Sequence, residues 1–414
     1  MIHVDPITQA FIDAHQQSDV RALALQASKF PQVDMPFALN QIAGRQMAMT
    51  KLPTWAATQG IIYPKHLSME QCSSEQTARY KASLVKGRSL VDLTGGFGVD
   101  CSFLAEQFER VDYVERQEDL ASIAEHNFER LGLKSKIMVH HGDGVDYLQE
   151  MDKVDVIYLD PARRNNYGGK VVSISDCEPD VSRLESLLLQ KADTVLIKLS
   201  PMLDISLACQ TLKHVQAVHI VAVNNECKEL LLFLKAETVL DQEKIPFYCM
   251  NIGKSDDVQC FTFSEGEEHA IEGLYADPEV FLYEPNAAVM KVHGFKTLTK
   301  RFPVKQLQAN SHLYTSTDYV SDFPGRRFRI KEVSGLGKKE LKTFLDGMSQ
   351  ANLTVRNFPS SVADLRKRLK LKEGGEDYVF ATTLQHNRKV LIKTTPVTNS
   401  NDFVEEKSGE CHSC

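Results

Sequence analysis

The chain has 414 residues and a formal net charge of −7, with 43% hydrophobic and 25% charged residues. This composition is typical of a soluble globular protein, and the length predicts two to four domains. It contains neither an apolar run long enough to span a membrane nor an N-terminal signal sequence, so we expect a cytoplasmic protein without a membrane partner. The nine cysteines are scattered along the chain and are expected to be reduced.

The charge is unevenly distributed along the chain. Residues 326–395 contain 16 Lys and Arg against 7 Asp and Glu, a net charge of +9, which leaves a net charge of −16 on the remainder. A basic segment on an acidic protein favours an anionic partner, most simply nucleic acid. The alternative is a solvated helix face.

The first 84 residues carry helical signals. Asp5-Pro6 is a helix start, and Phe37–Met49 has helical spacing of its apolar residues. The polar segment Glu70–Arg79 is interpreted as a helix cap or as the lip of a ligand pocket.

From residue 88 to 235 apolar strands alternate with amphipathic helices such as Asp119–Leu131 and Val181–Lys191. This alternation predicts an α/β domain with a parallel sheet covered by helices on both faces. The predicted strands are Ser89–Asp92, Arg110–Val114, Lys136–Val139, Val154–Leu159, Thr194–Leu199, Ala217–Val223 and Leu230–Leu234.

Acidic residues stand at the ends of the first four predicted strands: Asp92, Glu115, Asp143 and Asp160. Asp92 leads into a turn with three glycines, which favours close approach of a nucleotide-like ligand to the main chain. One acid after a strand is usually a helix cap, but four in succession indicate a ligand site at the carboxyl edge of the sheet. No metal site is predicted.

Four motifs in residues 70–236 resemble those of class I S-adenosylmethionine-dependent methyltransferases: VDLTGGFGVD, YVER, HHGDGVDYL and LDPARR. The resemblance implies a Rossmann-like seven-stranded sheet and S-adenosylmethionine as cofactor. It implies that Glu115 binds the ribose and Asp143 the adenine, and that the methionine end lies at Asp92, Thr94, Gly95, Gly96 and Gly98. A redox dinucleotide is disfavoured, because the turn lacks the third glycine of the dinucleotide fingerprint.

The LDPARR motif provides the predicted catalytic residues Asp160, Pro161 and Arg163, and Arg164 as a clamp for a phosphate or carboxylate. It departs from the Asp-Pro-Pro-aromatic motif of amine methyltransferases after its first two residues. The DPAR spelling is closer to RNA uracil-5-methyltransferases, but Ser200 stands where those enzymes have their cysteine nucleophile. Cys177 is the alternative nucleophile nearby, although a structural thiol is favoured.

The C-terminal part, with FPGRRF and RNFPSSVADLRKRLKLKEGGEDYVFATTL, resembles the THUMP-like domain of a bacterial group of class I methyltransferases. Domains of that type are associated with RNA modification, so the resemblance implies an RNA substrate, tRNA or rRNA. The cations Arg366, Lys367 and Arg368 are predicted to bind it.

The sequence therefore predicts an N-terminal helical region (1–84), a methyltransferase domain (85–236), a small α+β ferredoxin-like domain (237–325), a basic THUMP-like domain (326–398) and a flexible tail (399–414) with Cys411 and Cys414. The predicted function is base methylation in structured RNA. The alternatives are methylation of a protein or small molecule, and RNA binding without catalysis. The oligomeric state is not indicated.

Overall fold

The computed structural model describes residues 4–163, 173–237, 239–254 and 257–397. The chain forms two compact units, one of Met1–Val223 with Lys228–Ile245, the other of Asn224–Cys227 with Pro246–Cys414. Arg164 and the tail cysteines Cys411 and Cys414 lie outside the described residues. Within those residues, no helix has the length and apolar character needed to cross a membrane.

The first unit begins with helices, as predicted. Asp5 starts the first of them by accepting hydrogen bonds from the backbone amides of Ile7 and Thr8. Phe11 and Ile42 belong to a buried cluster that holds the first three helices together. The helices are α1 Pro6–Ala14, α2 Val20–Leu25, α3 Met35–Lys51, α4 Pro53–Ala57, α5 His66–Gln71 and α6 Glu75–Leu84.

A mostly parallel sheet follows. The strands of this region, in chain order, are β1 Ser89–Asp92, β2 Arg110–Glu115, β3 Ile137–His141, β4 Val154–Leu159, β5 Ala162–Arg163, β6 Cys177–Glu178, β7 Ala192–Leu199, β8 Val215–Val223 and β9 Glu226–Leu234. The short strands β5 and β6 form a separate antiparallel pair outside the main sheet. Within the first unit, seven strands of the sheet have the order β8-β9-β7-β4-β1-β2-β3. Strands β1, β2, β3, β4 and β7 are parallel, whereas β9 is antiparallel to β7. The predicted Rossmann-like sheet is confirmed, and its antiparallel strand is β9.

Helices connect the parallel strands: α7 Val99–Leu104, α8 Glu118–Arg130, α9 Gly144–Glu150, α10 Val181–Lys191 and α11 Ile205–Thr211. The first three directly follow β1, β2 and β3, so their N-termini and the strand ends meet at one edge of the sheet. Helix α7 continues into a 3₁₀ turn at Ala105–Gln107.

A two-residue turn joins β8 to β9. Asn224 and Asn225 both have positive φ, 51° and 64°. Asparagine tolerates this region, and two such residues give the tight turn that suits antiparallel strands. The strand pair predicted around this asparagine pair is confirmed.

The second unit is α+β. Its strands are β10 Pro246–Ile252, β11 Val258–Ser264, β12 Phe281–Pro285, β13 Lys305–Gln306, β14 Tyr314–Ser316, β15 Gly325–Ser334, β16 Asn352–Arg356, β17 Tyr378–Thr383 and β18 Lys389–Pro396. Its helices are α12 Glu265–His269, α13 Ala287–Val292, α14 Phe295–Arg301, α15 Lys338–Phe344 and α16 Val362–Leu369.

Strands β10 and β11 pair as an antiparallel hairpin, and seven others form a sheet of order β13-β14-β12-β15-β18-β17-β16. Strands β16 and β17 are parallel neighbours at one edge. Helices α15 and α16 pack against this sheet through Phe344, Leu365 and Leu369. The sequence from Arg326 onward predicts strand, helix, strand, helix and a hairpin, and the structure confirms this order. The segment that begins YEPNAAV predicts only a turn entering a helix, so strand β12 is not predicted.

Candidate active site

The glycine turn after β1 is supported closely from one side. A Cβ at Gly95 would lie 2.2 Å from the ring of Tyr113, and one at Gly98, where φ is 86°, would lie 2.7 Å from Phe128. Gly96 has a φ of 57°, yet the nearest atom to its hypothetical Cβ is 3.8 Å away. The turn therefore needs glycine for packing at two positions and leaves open space at the third.

Glu115, at the end of β2, holds this turn from the neighbouring strand. One carboxylate oxygen accepts a hydrogen bond from the amide of Gly96 at 2.8 Å, and the other accepts one from the amide of Gln117 at 2.8 Å. Each carboxylate oxygen keeps a second acceptor position. The side chain can therefore support the turn and accept hydrogen bonds from a ligand at the same time.

Asp143 follows β3 and caps α9. Its Oδ1 accepts a hydrogen bond from the amide of Val145 at 2.8 Å, and its side chain is exposed. The next residue, Gly144, lies so close to Leu93 that a Cβ would be 2.1 Å from the Leu93 carbonyl oxygen. This contact fixes the loop after β3 beside the loop after β1.

Asp92 is buried, and its Oδ1 accepts a hydrogen bond from the amide of Thr94 at 3.0 Å. Burial raises the pKa of the Asp92 carboxyl well above its ordinary value, and the carboxylates of Asp100 and Asp160 raise it further, while the Thr94 amide opposes the shift. The Asp92 carboxyl therefore holds its proton to a higher pH than an ordinary aspartate does, and in its protonated form it can donate a hydrogen bond.

Asp160 ends β4, and two neighbours hold it in place. Its backbone amide donates to the Thr94 hydroxyl at 2.6 Å, and its carboxylate forms a short ion pair with Lys198 near the end of β7. Burial alone lowers the pKa of Lys198, but the carboxylates of Asp160, Asp100 and Glu229 outweigh it and raise the pKa. Lys198 therefore remains an ammonium group.

A buried ionic network adjoins this ion pair. Lys81 of α6 is fully buried and donates to both oxygens of Glu229 at 2.6 and 2.7 Å. Its ammonium also lies 3.2 Å from Asp100, which accepts hydrogen bonds from the hydroxyls of Tyr158 at 2.7 Å and Ser73 at 2.8 Å. Burial raises the pKa of Asp100, but Lys81 and Lys198 lower it overall. The network thus contains an ionised aspartate.

These loops surround one cavity of about 510 Å³. The predicted residues that line it are Asp92, Thr94, Gly95, Gly96, Gly98, Glu115, Asp143 and Asp160. Pro161 follows Asp160 in the chain and is buried. Arg366, Lys367 and Arg368 occupy the last turn of α16 in the second unit. The structure describes the backbone of Arg163 but not its side chain, so its predicted role stays a prediction.

Two segments of the cavity wall carry no recognisable motif. One is the loop before α6, where Cys72 and Ser73 lie within the polar segment whose alternative interpretation was a pocket lip. The other is Glu178–Asp180, which leads into α10. Cys177, the alternative nucleophile, is a buried residue of β6 and is absent from the wall of this cavity. No cluster of metal-ligating side chains occurs among the described residues.

Three family models match the chain. Residues 50–165 match the protein-L-isoaspartate (D-aspartate) O-methyltransferase model, residues 281–324 match a ferredoxin-like domain, and residues 325–396 match a THUMP domain-like model. No curated protein matches the chain.

Solved structures give a match over nearly the whole length. The crystal structure of a presumed methyltransferase from Porphyromonas gingivalis W83 is 33% identical, with a TM-score of 0.85, and the match covers 96% of this chain and 100% of that one. An O-methyltransferase from Bacillus cereus in complex with SAH is 14% identical, covering 46% of this chain and 99% of that one with a TM-score of 0.31. A presumed tRNA (m1A22) methyltransferase from Streptococcus pneumoniae is 21% identical, with 42% and 74% coverage and a TM-score of 0.33.

The fold and the domain matches define a methyltransferase-type α/β domain followed by ferredoxin-like and THUMP-like domains. This chain belongs to the methyltransferase family of the Porphyromonas gingivalis protein, which shares that whole architecture. The family predicted from the motifs is confirmed, whereas the exact domain boundaries and the roles of single site residues stay predictions.

Proposed function

We propose that this protein is an S-adenosylmethionine-dependent methyltransferase that methylates a base in structured RNA, tRNA or rRNA. The observation that carries the proposal is the convergence of four strand-end acids and an open glycine turn on one cavity. The match of residues 50–165 to a methyltransferase model supports the same reaction class.

The cavity residues fit the chemistry of this cofactor. The volume of about 510 Å³ is that of a small-molecule site, and the free space at Gly96 admits a ligand close to the backbone. In this proposal Glu115 accepts hydrogen bonds from the ribose hydroxyls and Asp143 from the adenine amino group. Asp92 lies with the turn at the methionine end.

When bound, the cofactor supplies an activated methyl group on a cationic sulfur. The protein contributes alignment, since direct displacement depends chiefly on the positions of donor and acceptor. Asp160 accepts a hydrogen bond from an N–H of the acceptor, and Lys198 keeps the Asp160 carboxylate oriented through their ion pair. We propose that Pro161 and Arg163, the next residues of the motif, act on the acceptor side, and that Arg164, outside the described residues, has the clamp role that the motif predicts.

RNA is the favoured acceptor because of the second unit. Residues 325–396 match a THUMP domain-like model, and residues 326–395 carry a net charge of +9. Arg366, Lys367 and Arg368 follow one another in the last turn of α16, where cations can bind backbone phosphates.

Calorimetric titration of the purified protein with S-adenosylmethionine tests the cofactor. We expect Glu115→Gln to weaken binding by about tenfold or more, because hydrogen bonds to a charged group contribute about 1.5–3 kcal/mol. The matched control is Glu118→Gln, which makes the same charge change at an exposed residue outside the cavity lining. Absence of binding by the wild-type protein, with and without bulk RNA, would contradict the proposal.

Transfer of labelled methyl groups to bulk RNA tests the acceptor. We expect incorporation by the wild-type protein and loss of incorporation, with retained cofactor binding, in Asp160→Ala. Methyl transfer to protein but not to RNA would favour the second candidate, a protein methyltransferase, which the isoaspartate O-methyltransferase match supports. RNA binding without cofactor binding would instead indicate a non-catalytic RNA-binding protein.

A further inference from the structure

A second cavity, of about 700 Å³, lies within the second unit at the carboxyl ends of the parallel strands β16 and β17. Its walls include Asn357 and Phe358 after β16, Asn387 and Lys389 after β17, and Gln308 and Asn310 after β13. The crevice outside the carboxyl ends of parallel strands is where α/β sheets commonly bind ligands.

The sheet curves so that its two edges approach each other at this cavity. Strands β13 and β16 are the opposite edges of the sheet, yet Asn357 Nδ2 donates to Gln308 Oε1 at 3.0 Å. Arg356 likewise donates to Glu284 of β12 at 2.9 Å. These bonds fix the walls relative to each other, so the cavity is a built feature of the unit.

The lining has the chemistry of a nucleotide site. Its polar side chains include four carboxamides, which match the donors and acceptors of base edges, and the described residues of its wall include no carboxylate. Phe358 is half-buried against the core below α16 and lines the cavity, where an aromatic ring can stack on a base. No carboxylate among the described residues forms an ion pair with Lys389, so its ammonium is available to a phosphate.

We propose that this cavity binds an unpaired nucleotide of RNA, with the base against Phe358 and the carboxamides and the backbone phosphate at Lys389. The cations Arg366, Lys367 and Arg368 lie in the last turn of α16, the helix that follows Phe358 in the chain. They are placed to contact neighbouring phosphates. The inference rests on the proposed RNA substrate and assigns it a second binding site in addition to the methyl-transfer site.

Fluorescence anisotropy of the full-length protein with a short labelled RNA of mixed sequence, as single strand and as duplex, tests this site. Phe358→Leu keeps an apolar side chain against the core but removes the ring, and we expect about tenfold weaker single-strand binding. Asn387→Asp tolerates the observed φ of 57° and places a negative charge in the cavity, so it should also weaken binding. Thermal unfolding checks that both variants remain folded.

The charge at Lys389 has a matched control in the same unit. Lys389→Gln should reduce the salt dependence of single-strand binding by about one counterion, whereas Lys331→Gln, at an exposed lysine paired with Asp377, should leave it unchanged. Wild-type affinity of Phe358→Leu and Asn387→Asp, or equal wild-type affinity for single strand and duplex, would overturn the inference.

The outcome is separable from the proposed reaction. If the cavity variants lose single-strand binding while the wild-type protein transfers no methyl group to RNA, the nucleotide site holds and the proposed reaction fails. If methyl transfer to RNA proceeds with an unchanged KM in the cavity variants, the reaction holds and the nucleotide site is wrong.

Discussion

Replacing Lys81 by methionine removes an ammonium group that contacts both Glu229 and Asp100. The ammonium lies 2.6 Å from Glu229 and 3.2 Å from Asp100. With an effective dielectric constant of about 20, these separations give attractions of roughly 6 and 5 kcal/mol, which desolvation of the buried ions largely offsets. Without this cation, two buried carboxylates lose their ion-pair partner, and we expect a loss of about 3–5 kcal/mol in the free energy of unfolding.

Urea unfolding followed by tryptophan fluorescence measures this loss in the first unit. The chain has a single tryptophan, Trp55, which is buried in α4 and packs edge-on against Phe97 of the glycine turn at 4.8 Å. The loss should be smaller at pH 5 than at pH 8, because the stranded carboxylates bind protons more readily at the lower pH. A double variant Lys81→Met with Glu229→Gln should recover part of the stability.

Lys153→Met is the matched control. Lys153 also forms a 2.6 Å ion pair, with Asp193, but the two side chains are 60% and 63% exposed, respectively. An exposed pair contributes under about 1 kcal/mol. If the two lysine variants lose the same stability, or Lys81→Met loses less than about 1 kcal/mol, the argument that burial makes this network important is refuted.

Two further predictions concern the glycine turn and its preceding acid. Asp92→Asn should become more stable relative to wild type as pH rises from 5 to 8. The pKa of Asp92 is raised in the folded protein, so the wild type loses up to about 1.4 kcal/mol of unfolding free energy per pH unit until the pH reaches that pKa. A pH-independent difference between the two proteins in unfolding monitored by Trp55 would contradict this. Gly96→Ala should weaken S-adenosylmethionine binding in calorimetry. The control is Gly132→Ala, which should lower only stability, because Gly132 has a positive φ and open space around it but lies away from the cavity. Equal affinities of the two variants would show that Gly96 does not face the cofactor.

The sheet and the cavity acids could be predicted because their signals are local. A buried parallel strand appears in the sequence as a short apolar run, and the residue at its carboxyl end is the first one after that run. Asp92, Glu115 and Asp160 could thus be placed at one edge from strand order alone, and all three line the cavity. The sequence alone does not show that these residues lie close together, but in an α/β sheet the carboxyl ends of parallel strands meet at one edge.

The ionic network could not be predicted, because its partners are far apart in the sequence. Lys81 and Glu229 are 148 positions apart, and a lysine on a polar helix normally indicates a solvent-exposed face. Strand β12 was missed because all five of its residues are buried, so it lacks the alternation that marks a strand, and Pro285 at its end is typical of a turn. Long-range partners and short buried runs leave no periodic signal.

The cavity brings together carboxyl groups that would repel one another if each were a free anion, and each is accommodated in a different way. Burial raises the pKa of the Asp92 carboxyl well above its ordinary value, and Glu115 is held by two backbone amides. Asp160 and Asp100 are paired with the ammonium groups of Lys198 and Lys81. In the proposed reaction this division is functional. Glu115 keeps acceptor positions for the hydroxyl groups of a ribose, while the Lys198 ammonium holds the Asp160 carboxylate in place to accept a hydrogen bond from the methyl acceptor.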